Sequence, residues 1–287
     1  VSRPRITRGI LYMAGATALF VCMNTVAKAL SASLPPVEVV WARSAGHFLV
    51  VAAFFGPRHG WRRLFTTRRR AVQMARSMLQ VSSQMFFFTA IGRVPLADAT
   101  SVSFTAPLIV AGLAGPVLGE RVSPSHWLAI GTGFLGALII IRPGAGLSPY
   151  LALIVGSAMC YALYQILTRQ VAGVDSAETN VTYSALVGSV VLSVIVPFFW
   201  VTPGRAWHWL GLASLGVLGG AGHYFVARAF AAGPASIIAP FHYAQLIWAA
   251  VLGYLVFGEV PGAATWVGAA VIIGSGLYIA LRELQRW

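Results

Sequence analysis

Apolar runs long enough to cross a bilayer alternate with short links that hold most of the arginines, and no other feature narrows the possible folds as far. A membrane-crossing helix needs about 20 mainly apolar residues, because lipid leaves backbone N–H and C=O groups no partners but one another. Punctuation by Pro, Gly and Arg predicts spans at 9–30, 37–55, 72–91, 96–118, 125–141, 149–171, 178–200, 206–231, 235–257 and 262–281. Charged residues make up 9% of the chain and apolar residues 58%, whereas a soluble domain carries about a quarter charged residues. That is too little charge to coat a water-facing surface. The expected fold is all-α and integral to the membrane, with ten transmembrane helices. The first run exceeds a signal-peptide core of about 7–15 residues and is read as a retained span.

A net charge of +13 suggests nucleic acid at first sight. A basic patch needs soluble surface to sit on, however, so nucleic acid is excluded as a partner and the lipid bilayer takes its place. The arginines read as topology signals. Arg3, Arg5 and Arg8 share a side with the link holding Arg58, Arg62, Arg63, Arg68, Arg69 and Arg70, and with Arg121, Arg169, Arg282 and Arg286. The other side receives Arg93, Arg142 and Arg205, with Lys28 near its edge. The positive-inside bias then places both termini in the cytoplasm. Cys22 and Cys160 lie inside apolar runs and imply no disulfide framework.

The chain is also built twice. Gly119-Glu120 recurs as Gly258-Glu259, and at the same offset Phe86 falls on Phe225, Ala90 on Ala229, Pro95 on Pro234 and Trp127 on Trp266. In the first span of each half, at a slightly longer offset, Gly15 matches Gly156, Asn24 matches Gln165 and Lys28 matches Arg169. Residues 1–143 and 144–287 form two five-helix repeats. Because each repeat has an odd number of spans, the second enters the membrane from the opposite side. Inverted repeats of this kind underlie many secondary transporters, with a substrate site near the midplane between the halves. One chain supplies both halves, so a monomer suffices. The Gly-Glu pairs are expected at turns, the glycine ending a helix and the glutamate pairing or capping nearby. Lys28 and Arg169 either snorkel to the interface or act as gates.

At this point the chain resembles the drug/metabolite transporter superfamily in its EamA-type branch. The residues that carry the resemblance are Ala97-Asp98-Ala99-Thr100, Ala106-Pro107-Leu108, Leu118-Gly119-Glu120-Arg121-Val122-Ser123 and Trp127, with an echo in Pro35-Pro36-Val37 leading to Arg43. Within that branch it is most similar to bacterial YddG-type amino-acid exporters. The resemblance implies export of amino acids or similar small metabolites across a bacterial inner membrane by alternating access. Exporters of drugs or of nucleotide-like metabolites are the alternative, and an intramembrane enzyme is a further one. The second repeat lacks a counterpart of Arg43, reading Thr182-Tyr183-Ser184 there.

Arg43 is the most unusual residue, roughly 9 Å inside its span at about 1.5 Å per residue. An ionisable group at that depth normally faces the bundle interior or a water-filled cavity. It meets a substrate carboxylate or gate residue, or else pairs with Glu38 or backbone carbonyls. His47 follows one helical turn later on the same face. Gln73, Ser77, Gln80 and Gln84 form one polar stripe on the third span, and Gln84 matches His223 in the repeat. Cavity walls are expected at Asn24, Arg43, His47, Gln80, Gln84, Tyr161, Tyr164, Gln165, His223 and Tyr243, with His242, Gln245 and Trp248 as further polar-tipped residues. Trp207 and Trp209 read as an interfacial belt. Pro107, Pro116 and Pro240 can break backbone hydrogen bonding in the fourth and ninth spans, the candidates for moving elements.

All seven carboxylates sit at or near span ends, so no mid-membrane acid offers a proton relay. Transport is then uncoupled or uses a histidine, His47 or His223. No H-E-x-x-H, G-x-S-x-G or Walker loop occurs. Neither an enzyme activity nor a cofactor nor a metal is expected.

Overall fold

The computed structural model describes residues 3–118, 124–142, 148–171, 174–232 and 238–284. All ten expected spans hold helix. The helices are α1 (Arg3–Leu30), α2 (Pro36–His59), the single turn α3 (Trp61–Leu64), α4 (Arg70–Ile91), α5 (Leu96–Ser103), α6 (Ala106–Leu118) and α7 (Pro124–Ile141). The second half holds α8 (Pro149–Val171), α9 (Ala177–Ile195), α10 (Ala206–Ala232), α11 (Ala244–Phe257) and α12 (Ala263–Leu284). Among the described residues, seven helices are long and apolar enough to cross a membrane on length and hydropathy alone, and two shorter apolar ones follow at Phe241–Phe257 and Ala263–Ile279. The tenth span, α4, falls short because of its polar stripe. Its Gln73, Arg76, Ser77 and Ser83 are buried against neighbouring helices, while Met74 and Met78 stay exposed. A polar helix is tolerated in a bilayer when it turns that side inward.

Packing repeats with the sequence. Helix α1 lies against α10, and its counterpart α8 lies against α4, the counterpart of α10. Likewise α2 packs on α10 as α9 packs on α4, and α1 meets α11 as α8 meets α6. Helices α2 with α9, and α7 with α12, pair across the axis with their own equivalents. Individual residues follow. A Cβ on Gly15 would stand 3.0 Å from the Phe225 ring, and one on Gly156 would stand 3.4 Å from Phe86. Glycine and phenylalanine are thus matched in sequence and exchanged in space, as two inverted repeats require.

Small residues set how closely these helices approach. Gly46 and Gly216 bring α2 and α10 together so tightly that a Cβ on Gly216 would fall 2.4 Å from Gly46 Cα. Gly136 and Gly268 do the same for α7 and α12.

The fourth span is two helices. Proline has no N–H and its ring crowds the carbonyl four residues back; for Pro107 that residue is Ser103, where α5 stops. The ninth span begins as a 3-10 turn, Ala239–Tyr243, around Pro240. Position 116 does not interrupt α6, contrary to expectation. Gly258 ends α11 with a left-handed backbone, φ 70°, a conformation glycine adopts without a Cβ penalty. The matching Gly119-Glu120 lies outside the described residues.

The main buried cluster lies toward the end of the bundle where α1 finishes, with Leu30, Ile91, Ala90 and Ala99 fully enclosed. At that end Lys28 forms an ion pair with Glu259 and also donates to the Val94 carbonyl, while Leu96 N–H donates to Glu259 Oε2 at 2.9 Å. Thr265 donates to Asp98 at 2.6 Å beside them. Lys28 is 8% exposed, so it does not snorkel. It binds the α1 end to the turns before α5 and after α11.

Candidate functional site

A cavity of about 180 Å³ lies between α1, α2, α4, α5, α6 and α8, walled by Met23, Asn24, Arg43, Ser83, Gln84, Phe87, Phe88, Ser103, Ala106, Ser157, Ala158 and Tyr161. Its elements are positioned by features already described. The break after Ser103 turns the fourth span so that Ser103 and Ala106 both reach the space. Ser83 and Ser157 join α4 to α8, each donating to the other's backbone carbonyl at 2.9 and 2.8 Å.

Four expected residues meet here: Asn24, Arg43, Gln84 and Tyr161. Arg43 is 8% exposed. Among the described residues its Nε donates only to Met23 Sδ, at 3.3 Å, and its guanidinium stands 6.0 Å from the Phe88 ring centroid. Glu38 does not pair with it, because Glu38 accepts from Val201 N–H at 3.2 Å instead. A thioether is a weak acceptor, so a charged group faces the cavity without a carboxylate. Among the described residues no donor reaches the buried side-chain oxygen of Gln84 or that of Gln80.

His47 and His223 lie beside the cavity and not on its wall. Their rings stack with centroids 5.4 Å apart and planes 16° from parallel, and Phe20 meets His223 edge-on at 5.1 Å. His47 is buried, whereas His223 is exposed although it shares a helix sector with Gly216 and Gly219, which face α2 and α1. Tyr161 is 43% exposed on an inward face. The cavity is not fully enclosed, and its open side forms a vestibule.

Four further expected residues are not brought to the cavity, Gln80 among them. Tyr164 stacks on Tyr161 and accepts from Arg76 at 3.1 Å. Gln165 is half-buried away from the walls. Tyr243 packs edge-on against Phe104, its hydroxyl pressed toward Gly276. The polar stripe of α4 is also two features. Its first part serves Arg76, which donates to Gln73 Oε1 at 2.7 Å, Thr168 Oγ1 at 3.0 Å and the Asn180 carbonyl at 2.9 Å. Only its last part, Ser83 and Gln84, reaches the cavity. The sequence reading missed Met23, Ser83, Phe87, Phe88, Ser103 and Ser157. These are ordinary residues for a membrane helix, and only the break at Pro107 hinted that Ser103 would be turned inward.

A ten-helix bundle of inverted halves around a partly polar central cavity, sealed at one end, is the architecture of a secondary transporter. The sequence model of the EamA-like transporter family matches twice, over residues 7–142 and 148–281. The chain belongs to that family, whose members are membrane transporters of small metabolites. It is 29% identical to a riboflavin transporter of Vibrio cholerae, covering 97% of this chain and 95% of the other. It is 31% identical to a pseudopaline exporter of Pseudomonas aeruginosa (92% and 93% covered) and 28% identical to an S-adenosylmethionine uptake transporter of Rickettsia felis (91% and 88%). A crystal structure with 19% sequence identity superposes with a TM-score of 0.65 over 97% of this chain and 99% of the other, in agreement with the fold.

Proposed function

We propose that this protein exports amino acids or closely similar small metabolites across the bacterial inner membrane by alternating access, with both termini in the cytoplasm. Residues 1–143 and 144–287 are the two repeats that exchange roles. The observation that carries the reading is the pairing, in one cavity, of a cation without a carboxylate and an acceptor without a donor. Arg43 would take a carboxylate and the Gln84 oxygen an ammonium, the two ends of a zwitterion. Asn24, Ser103 and Tyr161 supply further hydrogen bonds, and Phe87 and Phe88 receive a side chain. His47, Gln80 and His223 border the path, while Tyr164, Gln165 and Tyr243 support it from behind. One chain is sufficient for the cycle.

Size favours a small solute. The cavity has room for about six waters at roughly 30 Å³ each, whereas sites for drug-sized ligands run to about 300–1,000 Å³. The relatives named for riboflavin and S-adenosylmethionine support a second reading, a nucleotide-like solute stacked on Phe87, Phe88 and Tyr161 with the vestibule supplying the missing volume. S-adenosylmethionine itself carries an α-amino-acid end, which the first reading also accommodates.

Purified protein in liposomes, tested with labelled amino acids, riboflavin and S-adenosylmethionine with and without a pH gradient, separates the two. Counterflow of amino acids is expected; movement of riboflavin alone overturns the first reading in favour of the second.

A further inference from the structure

The stacked His47–His223 pair is not used by a carboxylate site at Arg43, yet it sits directly beside it, half in the vestibule. Two imidazoles with centroids 5.4 Å apart and planes 16° from parallel repel one another when both are charged, so the pair is read as a site for one proton. Arg43 is one helical turn from His47 on the same face of α2, and its positive charge opposes that proton as well.

Other charged groups on the helices packed around the pair have partners or lie toward helix ends; Glu38 Oε1 and both ring nitrogens of His208, in the first turns of α2 and α10, have no partner among the described residues. On α1, Lys28 is held by Glu259; on α2, Glu38 is held by Val201 N–H. On α4, Arg76 is bound by Gln73, Thr168 and the Asn180 carbonyl. On α9, the Tyr183 hydroxyl donates to the Phe65 carbonyl, and Glu178 lies at the helix's first turn, far down the bundle. On α10, Arg228 lies over the Tyr12 ring of α1, and Tyr224 lies against Phe54. Cys22 of α1 is half-buried. Arg43 is therefore the charge that governs the pair.

We propose that the His47–His223 pair is the proton-coupling site, and that a substrate carboxylate loads it by neutralising Arg43. This rests on the carboxylate reading of Arg43. With its counter-ion in place the guanidinium no longer opposes a proton one turn away, so substrate and proton bind with mutual assistance. Linkage makes the assistance equal in both directions. The two then cross together: substrate leaving down its gradient carries a proton out, and external acidity slows the exit. The substrate ammonium would be held on α4 at Gln84, on a different helix from the two residues of α2. No carboxylate is needed at depth, because the substrate brings its own.

The test uses proteoliposomes with a pH-sensitive dye in the lumen, challenged with each of the twenty protein amino acids singly at zero membrane potential. Downhill entry of a transported amino acid is expected to acidify the lumen with about one proton per substrate. In the doubly substituted H47Q/H223Q protein that ratio falls to near zero, whatever rate remains. Transport by the unsubstituted protein without acidification overturns the coupling and leaves the function standing. An undiminished ratio in H47Q/H223Q overturns the assignment to this pair. Failure to move any amino acid overturns the reading of the function and this inference with it. Should H47Q/H223Q not fold, nitrogen-15 histidine NMR of the unsubstituted protein decides. Added substrate at constant pH must convert imidazole to imidazolium at these rings, and unchanged spectra contradict the proposal.

Discussion

Among the described residues Arg43 and Arg76 are buried within the bundle, and their surroundings assign them opposite work. Arg76 is 1% exposed and bound by four oxygens, including the Tyr164 hydroxyl. Arg43 is nearly as buried but meets one sulfur and the edge of a cavity. A buried group whose hydrogen bonds are complete holds structure, whereas an incompletely bonded charge is held ready for a partner. We predict that R76Q lowers the thermal unfolding midpoint in detergent, because truncation strands the Gln73 oxygen and the Asn180 carbonyl. R43Q is predicted to leave that midpoint close to the parent value. The depth of Arg43 was legible from its distance into an apolar run. The completeness of bonding at Arg76 was not, since three of its four acceptors come from α8 and α9, about a hundred residues along the chain. For the same reason Gln73 and Gln84 looked alike on one helical stripe, although Gln73 accepts from Arg76 and Gln84 lines the cavity.

Among elements, the turn after α11 links function to fold. Gly258 stops the helix, which puts Glu259 against both Lys28 and the first N–H of α5. The helix end was legible because a glycine before a glutamate between apolar runs has few other uses. Its partner was not, since pairing the end of the first span with the ninth requires the three-dimensional crossing. Removing one member of this part-buried pair leaves the other charge without its partner in the conformation that makes it. E259Q is therefore expected to shift the population away from the sealed state. Spin labels at A32C and A263C, both exposed beside the seal, in a background without Cys22 and Cys160, would report a longer distance in E259Q than in the parent. An unchanged distance would show that the pair does not hold this end closed. The breaks at Ser103 and around Pro240 place flexible points in the fourth and ninth spans, the elements nearest this latch.

At the scale of the molecule, inversion was the most legible property, because it follows from a repeat and an odd number of spans. The exchange of Gly15–Phe225 for Gly156–Phe86 shows it residue by residue. How tightly the halves interlock was less visible, since one glycine in a run looks like the next until a neighbouring backbone is seen. G216V places a Cβ within 2.4 Å of Gly46, and overpacking of that kind costs about 1–3 kcal/mol. Its unfolding midpoint is expected to drop. G274A, where a Cβ meets nothing within 4 Å, is expected to hold or raise it through the better helix propensity of alanine.

The account turns on Arg43 as the carboxylate anchor, and paired affinities test that most directly. Binding of a transported amino acid and of its primary amide is measured on the purified protein and on R43Q. A hydrogen bond to a charged group is worth about 1.5–3 kcal/mol, or roughly a tenfold to hundredfold preference. The parent protein should favour the carboxylate by that factor, and R43Q should bind both forms about equally. An equal preference for the carboxylate in both proteins would contradict the account.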